Sequence, residues 1–185
     1  MNINVGQYIA NLLKNEGVSQ SEAARKIGIS RQQLSFIILN QRELSVPVAL
    51  KMEKLLCLQE GKLLEIQNLW KIQKYKDDVK RSLFAQLVEE HAFWSYQDVR
   101  YEMLSDEDLV EKCLIHLDLC NIDMLFELYP AAFIKKVWQN RLVIQGDYLF
   151  DLNVMIAMYY FGIRHPESYL KRKETQYFNK IIGNA

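Results

Sequence analysis

The side chains best suited to specific chemistry in this sequence lie in one short polar run, Ser30-Arg31-Gln32-Gln33. An arginine guanidinium pairs bidentately with guanine in the major groove, and a glutamine amide pairs with adenine. Arg31 and Gln32 therefore suit the reading of base edges. Gln20, at the start of the short helix before them, is placed to meet a phosphate together with that helix's N-terminal amides.

A second grouping is Cys113, His116 and Cys120, spaced i, i+3, i+7. On one helix face it would present two thiols and an imidazole, ligands that zinc accepts. A fourth ligand is wanting, because His91 and His165 sit in separate segments. Cys113 and His116 also belong to the apolar stripe of their helix, where cysteine serves as a small core side chain. The carboxylates Asp98, Glu102, Asp106, Glu107, Asp108 and Glu111 are dense, yet an acidic helix start accounts for several of them. The sequence has no G-x-S-x-G, H-E-x-x-H or P-loop pattern. The expectation is a binding protein with no catalytic residue, no metal and no cofactor.

The elements that must position Arg31 and Gln32 are helices. Residues 5–15 carry Tyr8, Ile9, Leu12 and Leu13 on one face, and Gly17 is a good stop. Ser19-Gln-Ser-Glu22 reads as a capping box opening a helix over about 20–26, with Ala23, Ala24 and Ile27 inward and Gly28 as its left-handed end. Ser30-Arg-Gln-Gln33 is a second box, opening a helix over about 31–39 with Leu34, Ile37 and Ile38 inward. Ser45-Val-Pro-Val48 starts a fourth helix, with Pro47 in its first turn. Taken singly, a capped short helix with surface Gln and Arg is commonplace. Two of them around a glycine turn, the second polar at its N-terminus, form a helix-turn-helix with a recognition helix.

Composition permits this reading. Half of the 185 residues are hydrophobic, which excludes a mainly disordered chain, and 23 basic against 23 acidic side chains exclude a polycation. The balance is uneven: residues 1–83 hold 13 Lys/Arg and 8 Asp/Glu, whereas residues 84–185 hold 10 and 15. A basic first module is compatible with DNA, and zero net charge implies a modest salt slope. No apolar run spans a bilayer. The N-terminus is unlike a signal peptide, and three cysteines without C-x-x-C suit a reducing compartment, so the expected location is cytoplasmic.

The segments Val5-Gly-Gln-Tyr-Ile9, Ser19 to Gly28, Ile29 to Ser35 and Val48-Ala-Leu-Lys-Met-Glu-Lys-Leu-Leu56 resemble the Xre/Cro-type helix-turn-helix. More narrowly they resemble HigA-type antitoxins, also called plasmid-maintenance antidote proteins, over about residues 5–71. The resemblance implies a five-helix, lambda-repressor-like domain, dimeric binding to a palindromic operator in double-stranded DNA, and repression of the protein's own operon. It also implies phosphate contact from Gln20 and base or phosphate contacts from Arg31, Gln32 and Gln33, with Ser30, Ser35 and Arg42 as further DNA-binding candidates. Phe36 departs from the usual polar residue and is open to two roles, touching a thymine methyl or packing. Asn40-Gln-Arg-Glu43 stands where a glycine turn is usual, which makes Arg42 the weaker contact.

Further along, Leu63, Ile66 and Trp70 continue a helical stripe that Tyr75, Val79, Leu83 and Leu87 extend, with Lys71, Lys74, Lys76, Lys80 and Arg81 read as a solvated face. Ser105-Asp-Glu-Asp108 opens a helix, Asn121 caps another, and Pro130 separates that from a third. Leu142-Val-Ile144 and Tyr148-Leu-Phe150 flank Gly146-Asp147, which allows a short hairpin. Residues 152–161 form a helix apolar nearly all round, hence expected to be buried. The aromatics Trp94, Tyr96, Trp138, Tyr148, Tyr159 and Tyr160 read as core and rim. Phe93-Trp-Ser-Tyr96, Leu128-Tyr-Pro130 and Lys135-Lys-Val-Trp138 are similar to an uncharacterised bacterial domain found beside helix-turn-helix proteins, often near AbiEii-type toxins.

The expected fold is all-α: a helix-turn-helix DNA-binding domain over 1–76, a helical linker over 77–92 and a helical partner-binding domain over 93–185. The expected function is a homodimeric repressor, the antitoxin to a protein toxin, either a RelE-like ribonuclease or a nucleotidyltransferase. The alternative is a regulator whose second domain senses a small molecule in a closed apolar pocket among Phe133, Trp138, Met155 and Tyr159. An enzyme in the second half would need a constellation the sequence does not offer.

Overall fold

A computed structural model describes residues 4–93 and 99–182. Trp94, Tyr96 and Asp98 lie outside the described residues. Every regular element among the described residues is helical, and the chain divides into two compact units, the first ending at Asp77 and the second starting at Asp78.

The first unit holds α1 (Val5–Asn15), α2 (Gln20–Ile27), α3 (Arg31–Ile38), α4 (Val46–Leu55) and the start of α5 (Lys62–Glu89). Its core gathers Ile9, Leu13, Ala23, Ala24, Ile27, Leu34, Ile37, Ala49, Met52 and Leu63, one stripe from each helix. Two buried polar side chains tie this core to backbone. Glu53 on α4 accepts from the amides of Gly61 at 2.9 Å and Leu63 at 2.7 Å, and so caps the start of α5. Backbone amides at a helix N-terminus are unpaired within the helix and favour negative charge, so a buried carboxylate is compensated there. Gln67 on α5 accepts from Leu44 N at 2.7 Å and donates to Leu44 O at 3.2 Å, holding the loop between α3 and α4.

In the second unit, the stretch expected as a helical linker supplies core: Val79, Leu83, Leu87 and Ala92 are buried there. The unit continues through α6 (Asp106–His116), α7 (Leu119–Leu128), α8 (Ala131–Val137), α9 (Phe150–Tyr159) and α10 (Pro166–Ile182). Trp138 is fully buried, and its indole N–H donates to Asn153 Oδ1 at 2.8 Å. The amide of Asn153 in turn donates to Leu142 O at 3.2 Å, so the buried polar pair is satisfied.

Four expectations need correction. No hairpin surrounds Gly146. A π-helical turn over Trp138–Leu142 and a 3-10 stretch over Val143–Leu149 run on from α8, with Leu142 and Val143 buried. Short apolar runs flanked by turn residues do not distinguish strand from buried helix. Gly146, at φ 63° and ψ −139°, supplies the break that lets the chain re-enter a helix. The α9 helix is not buried all round either, since Met158 and Tyr159 are exposed. Tyr159 at 62% exposure cannot line a closed pocket, and Trp138 is packed against the rings of Phe161 and Tyr169. Asn121 is not a cap: Asp118 is, accepting from Asn121 N at 2.9 Å.

Candidate nucleic-acid interface

Local sequence builds the reading element one turn at a time. Ser19 Oγ accepts from Glu22 N at 3.2 Å to start α2. The expected reciprocal bond is not made, because the Glu22 carboxylate pairs with Lys26 Nζ at 2.9 Å, which holds its carboxyl below the usual range. At the other end, Gly28 adopts φ 74°, the left-handed region that only glycine enters freely, and Ile29 N reaches back to Ala24 O at 3.0 Å. This turn delivers the chain directly to Ser30, whose hydroxyl accepts from Gln33 N at 3.1 Å while Gln33 Oε1 accepts from Ser30 N at 3.1 Å. The second capping box is complete.

The box sorts the candidate residues. Arg31 and Gln32 occupy the first two helical positions of α3 and are exposed. Ser30 and Gln33 spend their oxygens on the cap, which leaves a hydroxyl hydrogen and an amide NH2 as their outward donors. Ser35 is half-buried on the flank beside Arg31. Gln20 opens α2 and is exposed, next to the cap at Ser19.

Past α3 the chain turns without glycine. Asn40 takes φ 56°, and the amides of Asn40 and Gln41 donate to Ile37 O at 3.0 Å and Phe36 O at 2.8 Å. That is a Schellman end with asparagine in the left-handed position. Arg42 follows it, exposed, with its backbone N–H directed at Phe36 O at 3.2 Å. Gly6 packs against the end of α3 and Gln67 holds the loop after it, both from outside the motif, and sequence reasoning missed both. Gly6 sits where a Cβ would lie 2.2 Å from Ile38 O, so α1 and the end of α3 are in backbone contact. Its neighbours Val5 and Ile9 fit an ordinary helix face, so only the contact reveals the role.

The second unit's candidate groups resolve into structure. The α6 helix ends at His116 with Leu117 extended, so Cys113 and His116 lie on one helix and Cys120 on the next. Cys113 is buried, which pushes its thiol up to about 12, and Cys120 is exposed. No cluster of metal-ligating side chains is found among the described residues. Four of these carboxylates are paired: Arg141 bonds Asp108 at 2.5 Å, Glu111 at 2.8 Å and Glu107 at 2.9 Å, and Lys80 holds Asp106. Asp106 accepts from Lys80 at 2.6 Å and from the Tyr129 hydroxyl at 2.7 Å. The hydrogen bonds of Ser105 and Arg141 hold the Asp108 carboxyl below its ordinary range, as an ion-paired structural carboxylate should be.

Residues 9–56, from within α1 to the end of α4, match the family model described as helix-turn-helix. Neither the curated proteins nor the solved structures compared with the chain gave a match. No helix among the described residues is long and apolar enough to cross a membrane. The matched stretch contains both capped helices and the glycine turn between them, so the first unit carries an Xre-type helix-turn-helix, the DNA-binding module of a transcription regulator.

Proposed function

We propose that this chain is a sequence-specific repressor in the cytoplasm, binding a palindromic operator as a homodimer with α3 as recognition helix. The observation that carries the reading is the exposed, capped N-terminus of α3, which presents Arg31 and Gln32 outward. Arg31 and Gln32 read bases, Gln20 addresses phosphate, Ser30, Gln33 and Ser35 add phosphate or base contacts, and Arg42 is a weaker contact. Two copies place their recognition helices about 34–36 Å apart, one helical turn of DNA. Arg31→Ala and Gln32→Ala together are expected to abolish operator selectivity, each lost base pairing contributing about 1–3 kcal/mol of discrimination. A gel-shift titration against specific and scrambled duplexes measures this, and unchanged selectivity overturns the assignment.

We further propose that the regulator is the antitoxin of a toxin–antitoxin pair, neutralising its toxin through the second unit. Two things support this: the resemblance of residues 5–71 to HigA-type antitoxins, and the acidic balance of residues 84–185, with 15 Asp/Glu against 10 Lys/Arg. An acidic surface accelerates encounter with a basic ribonuclease. A nucleotidyltransferase is the other toxin class that fits. Co-expression of the full chain with the neighbouring open reading frame is expected to relieve that frame's toxicity and to co-purify both products. Growth arrest undiminished by the chain overturns the antitoxin role and leaves the repressor reading standing.

A further inference from the structure

The outward face of α3 is polar at one end and apolar at the other. At about 100° per residue, Gln32, Phe36 and Leu39 fall opposite the buried pair Leu34 and Ile37. Phe36 is 37% exposed and Leu39 60%, and neither joins the core of the unit. The helix end explains why the ring stays outside. In a Schellman end, the residue whose carbonyl accepts the longer-range bond commonly packs on an apolar side chain two positions past the cap. Here Phe36 supplies that carbonyl and the position past the cap is Gln41. The ring is left one turn beyond Gln32 on the same face.

We propose that Phe36 reads the C5-methyl group of an operator thymine about two base-pair steps from the base that Gln32 addresses. The proposal rests on the reading of α3 as recognition helix and names what its apolar half recognises. Four residues advance a helix by about 6 Å, against about 3.4 Å per base step. The thymine methyl is the apolar group on the major-groove edges, and it suits a ring continuous with a base-reading face. Leu39 extends the same apolar surface toward the helix end.

The test uses the full chain and an operator recovered by selection from a random duplex library. Each thymine of one half-site is replaced in turn by uracil, which keeps the pairing edge and lacks only the methyl. One replacement is expected to weaken wild-type binding roughly fourfold, the worth of one buried methyl group. The same replacement is expected to leave binding by Phe36→Ala unchanged, with the fold of that variant checked by circular dichroism. Wild-type affinity indifferent to every replacement overturns the proposal while operator recognition by Arg31 and Gln32 stands. So does a loss that persists undiminished in Phe36→Ala. A variant that instead sediments as a smaller species, with no thymine dependence, assigns the ring to contact between copies and also overturns it. A selection that recovers no operator overturns both the proposal and the reading beneath it.

Discussion

Gly6→Ala is expected to lower the thermal stability of the first unit and to weaken operator binding at least tenfold, which corresponds to about 1.4 kcal/mol. Helix propensity alone gives the opposite sign, because alanine in a helix interior is favoured over glycine by roughly 0.5–1 kcal/mol, an upper bound for Gly6 in the first turn of α1. The contact decides against it. A Cβ at Gly6 would lie 2.2 Å from Ile38 O, 2.7 Å from Ile37 O and 2.7 Å from Ile38 C. All three are backbone atoms, so no side chain can rotate away, and α1 must separate from the end of α3. Overpacking typically destabilises by about 1–3 kcal/mol, outweighing the propensity gain. The binding loss follows because α3 carries Arg31 and Gln32 at its other end. Circular dichroism melts and gel-shift titrations of the full chain read the two effects. A raised melting temperature with unchanged affinity would show that the helices do not meet at this glycine.

The second large effect is expected from Trp138→Ala. Trp138 is fully buried, meets the rings of Phe161 and Tyr169 with centroids 5.0 Å and 6.1 Å away, and donates its indole N–H to Asn153. Truncating a buried tryptophan costs about 3–5 kcal/mol through lost burial and the cavity left behind. Asn153 Oδ1 would also lose its donor inside the core, where an unmatched polar atom is unfavourable. For a unit of this size the melting temperature is expected to fall by more than about 10 °C. Trp138→Phe should lose part of this, retaining an aromatic ring but not the N–H. Equal and small shifts for both variants would mean the site collapses around the vacancy, and that Trp138 does not anchor the second unit.

How far the fold was legible follows from the range of the interactions involved. The starts of α2, α3 and α6 were readable because a cap is a contact across three residues: Ser19 with Glu22, Ser30 with Gln33, Ser105 with Asp108. Even there one partner escaped. Glu22 turned to Lys26, a neighbour on the helix surface, instead of returning to its cap. Segments 142–150 failed for a different reason. Their apolar runs fit a strand or a buried helix equally, and the choice was made by the burial of Leu142 and by Asn153, eleven positions away, bonding its carbonyl. The i, i+3, i+7 grouping of Cys113, His116 and Cys120 assumed one continuous helix, and the extended Leu117 divides it.

For the candidate interface, sequence alone determined the two capped helices, the glycine turn and the polar start of the second helix. Each is decided within a few consecutive residues, by backbone amides seeking acceptors and by a φ that favours glycine. Tertiary structure decided what holds that helix and which way its far end faces. Glu53 caps a helix eight to ten residues downstream, Gln67 grips Leu44 across 23 residues, and Gly6 touches the Ile38 carbonyl. Phe36 stays outside because Gln41 offers it no apolar partner and the core is already closed by Leu34 and Ile37. These arrangements depend on which surfaces meet once the helices pack, and that information is spread over the whole unit and carried by no single motif.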